Sequence, residues 1–221
     1  MTTIASLVLA YLLGSVPFAV LVSLGMGLAD PRSYGSGNPG ATNVLRSGNK
    51  LAALLTLLGD AAKGWLAVWL AQTYGASFGL AAPEIAMVGL AVFIGHLWPV
   101  FLAFRGGKGV ATLVGAIMGV NAPLVLLCFG VWFLVLMITH YVSLASMVAG
   151  CSFPIFTLIS PKVNHLVPFV VFSFIIAILL IYTHRKNIER LKAGTESKIY
   201  IWKPRHVKVD PEEAKDKGAN K

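Results

Sequence analysis

The chain has 221 residues, of which 57% are hydrophobic and only 12% charged, and its mean hydropathy is +0.76. That composition excludes an ordinary soluble domain and points to a chain that lives in a bilayer. Its formal net charge of +9 is concentrated: more than half of the Lys and Arg follow His184, which suits a segment beside an anionic leaflet and not a nucleic-acid partner.

Apolar runs that could cross a bilayer, which takes about 20 residues each, lie near 4–24, 51–71, 84–104, 110–120, 123–139, 142–159 and 166–183. The expected fold class is all-α, a polytopic helical membrane protein. No basic stretch precedes the first run and no small-residue cleavage site follows it, so it reads as a transmembrane helix and not a signal peptide. The connection at 25–50 carries Arg32, Arg46 and Lys50, and that at 105–109 carries Arg105 and Lys108, whereas 72–83 has no Lys or Arg. By the positive-inside rule the first two are cytoplasmic and the amino terminus is outside. A single span over 110–139 would leave the basic tail outside. A turn at Asn121-Ala122-Pro123 returns it to the cytoplasm and gives seven spans. The fourth is short, since eleven helical residues cover about 16 Å. Residues 1–203 are expected to form one membrane domain and 204–221 a polar, disordered cytoplasmic tail. No internal repeat is visible, which weakens a transporter built from inverted halves. Cys128 and Cys151 fall in apolar runs and read as small hydrophobes, with no disulfide framework or metal cluster indicated.

The first polar cluster is Gly35-Ser36-Gly37-Asn38-Pro39-Gly40-Ala41-Thr42-Asn43-Val44-Leu45-Arg46. Asn38 is expected to cap a helix that begins at Pro39, leaving the N–H groups of Gly40, Ala41 and Thr42 free for an anion, with Arg46 adding a bidentate fork. The match to G-x-G-x-x-G is discounted, because no strand precedes it. Asp60 and Lys63, three residues apart inside the second run, read as a mutually neutralising pair that could couple to this loop. The second cluster, Arg105-Gly106-Gly107-Lys108-Gly109, offers close backbone approach and a point charge. It is not a Walker A loop, because glycine follows the lysine. His96 and Pro99 precede it; a lone His there is more often a packing residue than a ligand. Ser143 and Ser146 open the sixth run on the same side. The third cluster runs from His184 to Glu196. On a helix His184, Asn187, Ile188 and Leu191 share one face, Arg185, Glu189 and Lys192 another, and Gly194 terminates it. With no Ser-His-Asp set and no metal set, the clusters suit a site that works by positioning and electrostatics.

The segments Gly35–Arg46, Gly106–Thr112 and His184–Glu196, in this order and with seven spans, resemble the three motifs of the PlsY family of bacterial membrane acyltransferases. The likeness runs from Ile4 to about Lys198. It implies transfer of a fatty acyl group from acyl phosphate to the 1-hydroxyl of glycerol 3-phosphate, giving lysophosphatidic acid and phosphate, the first acylation of phospholipid synthesis. By motif match the catalytic set is Ser36, Arg46, Lys108, Asn187 and Glu196. The substrate-binding set is Gly37, Asn38, Thr42, Asn43, His96, Gly106, Gly107, Gly109, Ser143, His184 and Gly194. Arg46 and Lys108 would hold substrate phosphates, Ser36 and Asn187 would orient the acceptor or the acyl carbonyl, and Glu196 would fix the basic cluster instead of acting as a base. No cofactor, metal, nucleic acid or obligatory protein partner is implied. The partners are the two substrates and membrane lipids, at a bacterial inner membrane with the site facing the cytoplasm. The rival reading is a transporter of a phosphorylated metabolite.

Overall fold

The computed structural model describes residues 1–160 and 167–200, and within them every regular element is a helix. In chain order they are α1 (Thr2–Ser15), α2 (Phe18–Gly25), α3 (Ala41–Val44), α4 (Lys50–Tyr74), α5 (Ala82–Leu97), α6 (Val110–Thr139), α7 (Val142–Ile159), α8 (Val167–Thr183) and α9 (Arg185–Lys192). Four of these are alone long and apolar enough to cross a membrane, or up to six crossings result if each bent pair counts as one. The expected disordered tail at 204–221 lies outside the described residues. Large apolar side chains such as Leu54, Leu58, Phe129, Ile138 and Ile178 point outward, as a surface bathed in lipid requires.

The expected single run over 4–24 is in fact two helices, α1 and α2, bent by 41°. Pro17 lacks the N–H that would continue the ladder, so the helix restarts at Phe18. Helix α4 begins where Asn49 accepts a hydrogen bond from the Ala52 N–H at 2.9 Å, a side-chain cap that spares one orphan donor. At the start of α5 Glu84 accepts from the Ala81 N–H at 2.9 Å, and Pro99 follows the end of the helix. The expected run to 104 therefore stops at Leu97 and continues as a short 3₁₀ turn, Val100–Leu102.

Helix α6 is interrupted at Asn121, whose φ of −159° and ψ of 98° are extended. Both of its ends lie at one end of the molecule. Just before it, the Lys108 carbonyl accepts from the Thr183 hydroxyl at 3.3 Å; just after it, the His140 carbonyl accepts from the Ile199 N–H at 2.8 Å. Asn121 instead reaches Ser160, past the far end of α7. The chain therefore doubles back at Asn121, where the Asn-Ala-Pro sequence anticipates a turn.

Close helix contacts hold this frame, because apolar burial gives little net drive in lipid and packing must supply it. Gly115 of α6 lies directly on the Ala61 carbonyl and the Trp65 nitrogen of α4, and Gly64 of α4 lies on the Thr112 carbonyl. A side chain at 115 has no room without moving backbone. Gly115→Val is expected to lower stability in detergent by about 1–3 kcal/mol. An unchanged thermal midpoint would show that the α4–α6 contact is not needed.

Candidate active site

The three polar clusters meet at the end of the bundle where α6 both starts and finishes. Their hub is Glu196. Its Oε1 accepts from the Ser143 hydroxyl and from the Asn187 amide, each at 2.6 Å, and its Oε2 accepts from Arg190 Nε at 2.7 Å. Burial pushes the Glu196 carboxyl up, but these three hydrogen bonds and the Arg190 charge outweigh it and hold the group below its ordinary range. The carboxylate is thus committed as an acceptor.

The turn that brings Glu196 back over α9 needs Gly194. That residue has φ 71°, left-handed, and the Thr195 N–H donates to the Arg190 carbonyl at 2.9 Å across it. Gly194 is exposed and serves the turn. On α9 itself His184 and Asn187 are buried, Ile188 and Leu191 are partly buried against the core, and Arg185, Glu189 and Lys192 are exposed, the two faces the sequence pattern anticipates. His184 Nδ1 lies 2.8 Å from the Leu180 carbonyl. A carbonyl can only accept, so Nδ1 carries the proton and Nε2 is left as an acceptor.

Lys108 stands within the fields of Glu196, Arg190 and Arg46. Burial lowers its ammonium, the two guanidiniums lower it further, Glu196 opposes them, and the result is about 8. Arg46 reaches across from the first loop and donates to the Ser197 hydroxyl at 3.2 Å. Three cations therefore stand near one another with one carboxylate among them, and the first turn of α6 beside Lys108 adds N–H groups that have no partner within the helix. An electrostatic surplus of that kind receives anions.

Several expected site residues take other places. Helix α3 starts at Ala41 with Gly40 as its cap, so Asn38 is not the cap and Pro39 is not helical; with four residues α3 is too short for the expected anion site. Asn43 is buried and holds the loop from within. Its amide donates to the carbonyls of Pro31 at 2.6 Å and Tyr34 at 3.2 Å, and its oxygen accepts from the Ser36 N–H at 2.9 Å. It serves as a scaffold for the loop. Ser36, Gly37 and Thr42 are exposed on that loop. Gly106 and Gly107, expected to let the backbone approach a ligand closely, donate their N–H groups to the carbonyls of Leu97 and His96, each at 3.1 Å, and Gly109 caps α6. His96 packs away from the Glu196 hub, beside Asp60 and Lys63. Sequence reasoning missed Arg190, whose approach to Glu196 depends on the turn at Gly194; the arginine six residues before a glutamate across a helix-ending glycine was the available signal.

A helical bundle with a surplus of positive charge gathered at one end suits a membrane-embedded enzyme that handles phosphorylated substrates. The family model described as glycerol-3-phosphate acyltransferase matches residues 4–194. The chain belongs to the glycerol-3-phosphate acyltransferase family and is an acyltransferase. It is 72% identical over 200 residues to the glycerol-3-phosphate acyltransferase of Laribacter hongkongensis, covering 90% of this chain and 97% of the relative. To that of Cupriavidus necator it is 53% identical over 190 residues, covering 86% and 93%. Its fold is similar to crystal structures of PlsY, an integral membrane glycerol 3-phosphate acyltransferase. The glycerol 3-phosphate form gives a TM-score of 0.82 at 36% identity, and the lysophosphatidic acid form 0.81 at 36%; each comparison covers 90% of this chain and 96% of the other.

Proposed function

We propose that this chain transfers an acyl group from acyl phosphate to the 1-hydroxyl of glycerol 3-phosphate. The observation that carries this is the gathering of Arg46 and Arg190 about Lys108, with the Glu196 carboxylate bound to Arg190 beside them. Two phosphate groups can be held against that surplus, one on each substrate. In the step itself the acceptor hydroxyl oxygen bonds to the acyl carbonyl carbon, and the bond from that carbon to the phosphate oxygen breaks. The hydroxyl proton passes to the departing phosphate, so lysophosphatidic acid and inorganic phosphate form without a protein nucleophile or base. Lys108 and Arg46 stabilise the charge gathering on the leaving phosphate. The oxygen of the Asn187 amide is buried with no partner among the described residues, and so can accept from a substrate hydroxyl. Ser36, exposed on the first loop, is placed to orient the acceptor, and His184 offers its Nε2.

The domain is proposed to comprise residues 1–203 and to cross the inner membrane seven times, with the doubling back at Asn121 supplying the seventh crossing. The site then faces the cytoplasm, the amino terminus lies outside and residues 204–221 follow as a cytoplasmic tail. The basic residues of α9, Arg185, Lys186 and Lys192, support that orientation. Gathering of the polar groups at one end tells against a transporter, which needs access from both sides. The test is phosphate release by the purified protein given acyl phosphate, with and without glycerol 3-phosphate. Release that requires the acceptor and matches lysophosphatidic acid formed supports the reading. Flux of glycerol 3-phosphate across vesicles with no release of phosphate would replace it.

A further inference from the structure

Three ionisable side chains outside the Glu196 hub are buried together among α4 and α5. Lys63 Nζ lies 2.8 Å from Asp60 Oδ1, and His96 Nδ1 lies 3.4 Å from the same oxygen. All three residues are at most 7% exposed. Lys63 also donates to the Val16 carbonyl at 2.8 Å, at the bend between α1 and α2. Ionisable groups in a membrane interior carry a large desolvation cost and are kept where they do work beyond filling space. Neutralisation of Asp60 needs Lys63 alone. His96 is in addition the part of α5 that touches the loop bearing Lys108. Its carbonyl accepts from the Gly107 N–H at 3.1 Å, and its ring Nε2 lies directly against Gly107, where any side chain would collide with it. A narrow cleft with room for about one water molecule runs past Asp60, Lys63 and His96 between Pro39 of the first loop and Gly106 and Gly107 of the second.

We propose that Asp60 is a positioning residue that, paired with Lys63, holds the His96 ring against Gly107 and thereby fixes where Lys108 reaches into the site. This rests on the acyl-transfer reading above. In it His96 acts through Nδ1 toward Asp60, not through Nε2 toward a substrate. The chain of contact is covalent from Gly107 to Lys108, so a tilt of the ring is passed to the ammonium within one residue.

The two ring nitrogens can be tested separately. An asparagine amide nitrogen takes the place of Nδ1, and a glutamine amide nitrogen takes that of Nε2. In vesicles of phosphatidylglycerol and phosphatidylethanolamine supplied with acyl phosphate, His96→Asn, which keeps the nitrogen toward Asp60 but loses the ring edge against Gly107, is expected to lower kcat partially, by about three- to fivefold. His96→Gln and Asp60→Leu are expected to lose about tenfold or more, with KM for glycerol 3-phosphate moving less than about threefold, as misplacement of a catalytic group predicts. Asp60→Asn/Lys63→Met, which leaves no unpaired charge, is expected to recover thermal stability relative to Asp60→Asn while kcat stays low. Greater activity in His96→Gln than in His96→Asn would assign the ring to a substrate through Nε2 and overturn the proposal. Losses of kcat that merely follow the thermal midpoint, including recovery of both in the double variant, would overturn it too. An unaltered enzyme that transfers no acyl group would overturn the acyl-transfer reading and this inference together, whereas the variants speak to the inference alone.

Discussion

Lys108→Met is expected to lower kcat/KM about a thousandfold, the scale on which removal of a preorganised charge at a reacting oxygen costs an enzyme. The methionine keeps the length and apolar stem of the side chain, so the loss measures the ammonium and not the packing. Arg46→Ala removes a more exposed cation of the same cluster and is expected to cost less. Near-normal transfer by Lys108→Met would remove the residue from the mechanism. The same ammonium sets a pH dependence. In the folded, free enzyme it is held at about 8, below its ordinary 10.5, chiefly by burial. In the proposed transfer the charged form is the one that holds phosphate, so kcat/KM is expected to fall as pH rises through about 8. Stability runs the other way. Between about 8 and 10.5 the unfolded chain binds more protons at this position than the folded chain, so this group's contribution to stability rises with pH across that window. An alkaline limb that persists unshifted in Lys108→Met would assign it to another group.

Glu196→Gln is expected to lower kcat/KM about a hundredfold, because it breaks charge-assisted bonds in a site where the carboxylate side chain is only 8% exposed. Glutamine can still accept from Ser143 and Asn187 through its oxygen, but its amide then faces Arg190 Nε donor to donor. Arg190 is released, and the balance of charge around Lys108 and Arg46 changes with it. Ser143→Ala removes one neutral donor to the same carboxylate and is expected to cost roughly tenfold, in line with the loss of about one hydrogen bond. The ranking separates positioning from base catalysis. A base at Glu196 would give the glutamine variant a flat acid limb in the pH profile, whereas a positioning carboxylate leaves the shape of that limb to the substrate phosphates. Retention of activity within about threefold would show that the hub is dispensable.

Much of this arrangement can be read from the chain before any coordinates. The three polar segments, the two faces of α9 and the turn at Asn121 follow from spacing, glycine placement and the distribution of charge, which are local properties. The expectations that fail concern which partner takes a group once the chain has folded. Asn38 and Asn43 are equally good candidates to hold a loop by composition, and only the path of the chain gives that role to Asn43 and the cap to Gly40. Gly106 and Gly107 signal close approach, and the sequence does not say whether a ligand or the end of α5 does the approaching. Asp60 and Lys63 announce a pair three residues apart, while the third member, His96, is on another helix.

Residues 195–200 cross the face of the site as a strap. Tyr200 stacks on His140 with ring centres 4.7 Å apart, Lys198 stands over the Tyr141 ring at 5.3 Å, and Ser197 meets Arg46 from 151 positions earlier in the chain. The first and last polar segments thus complete one another. Under the proposed acyl transfer, neither segment holds the whole cluster by itself, so a fragment of the bundle lacking Arg46 or lacking Glu196 and Ser197 would carry an incomplete site.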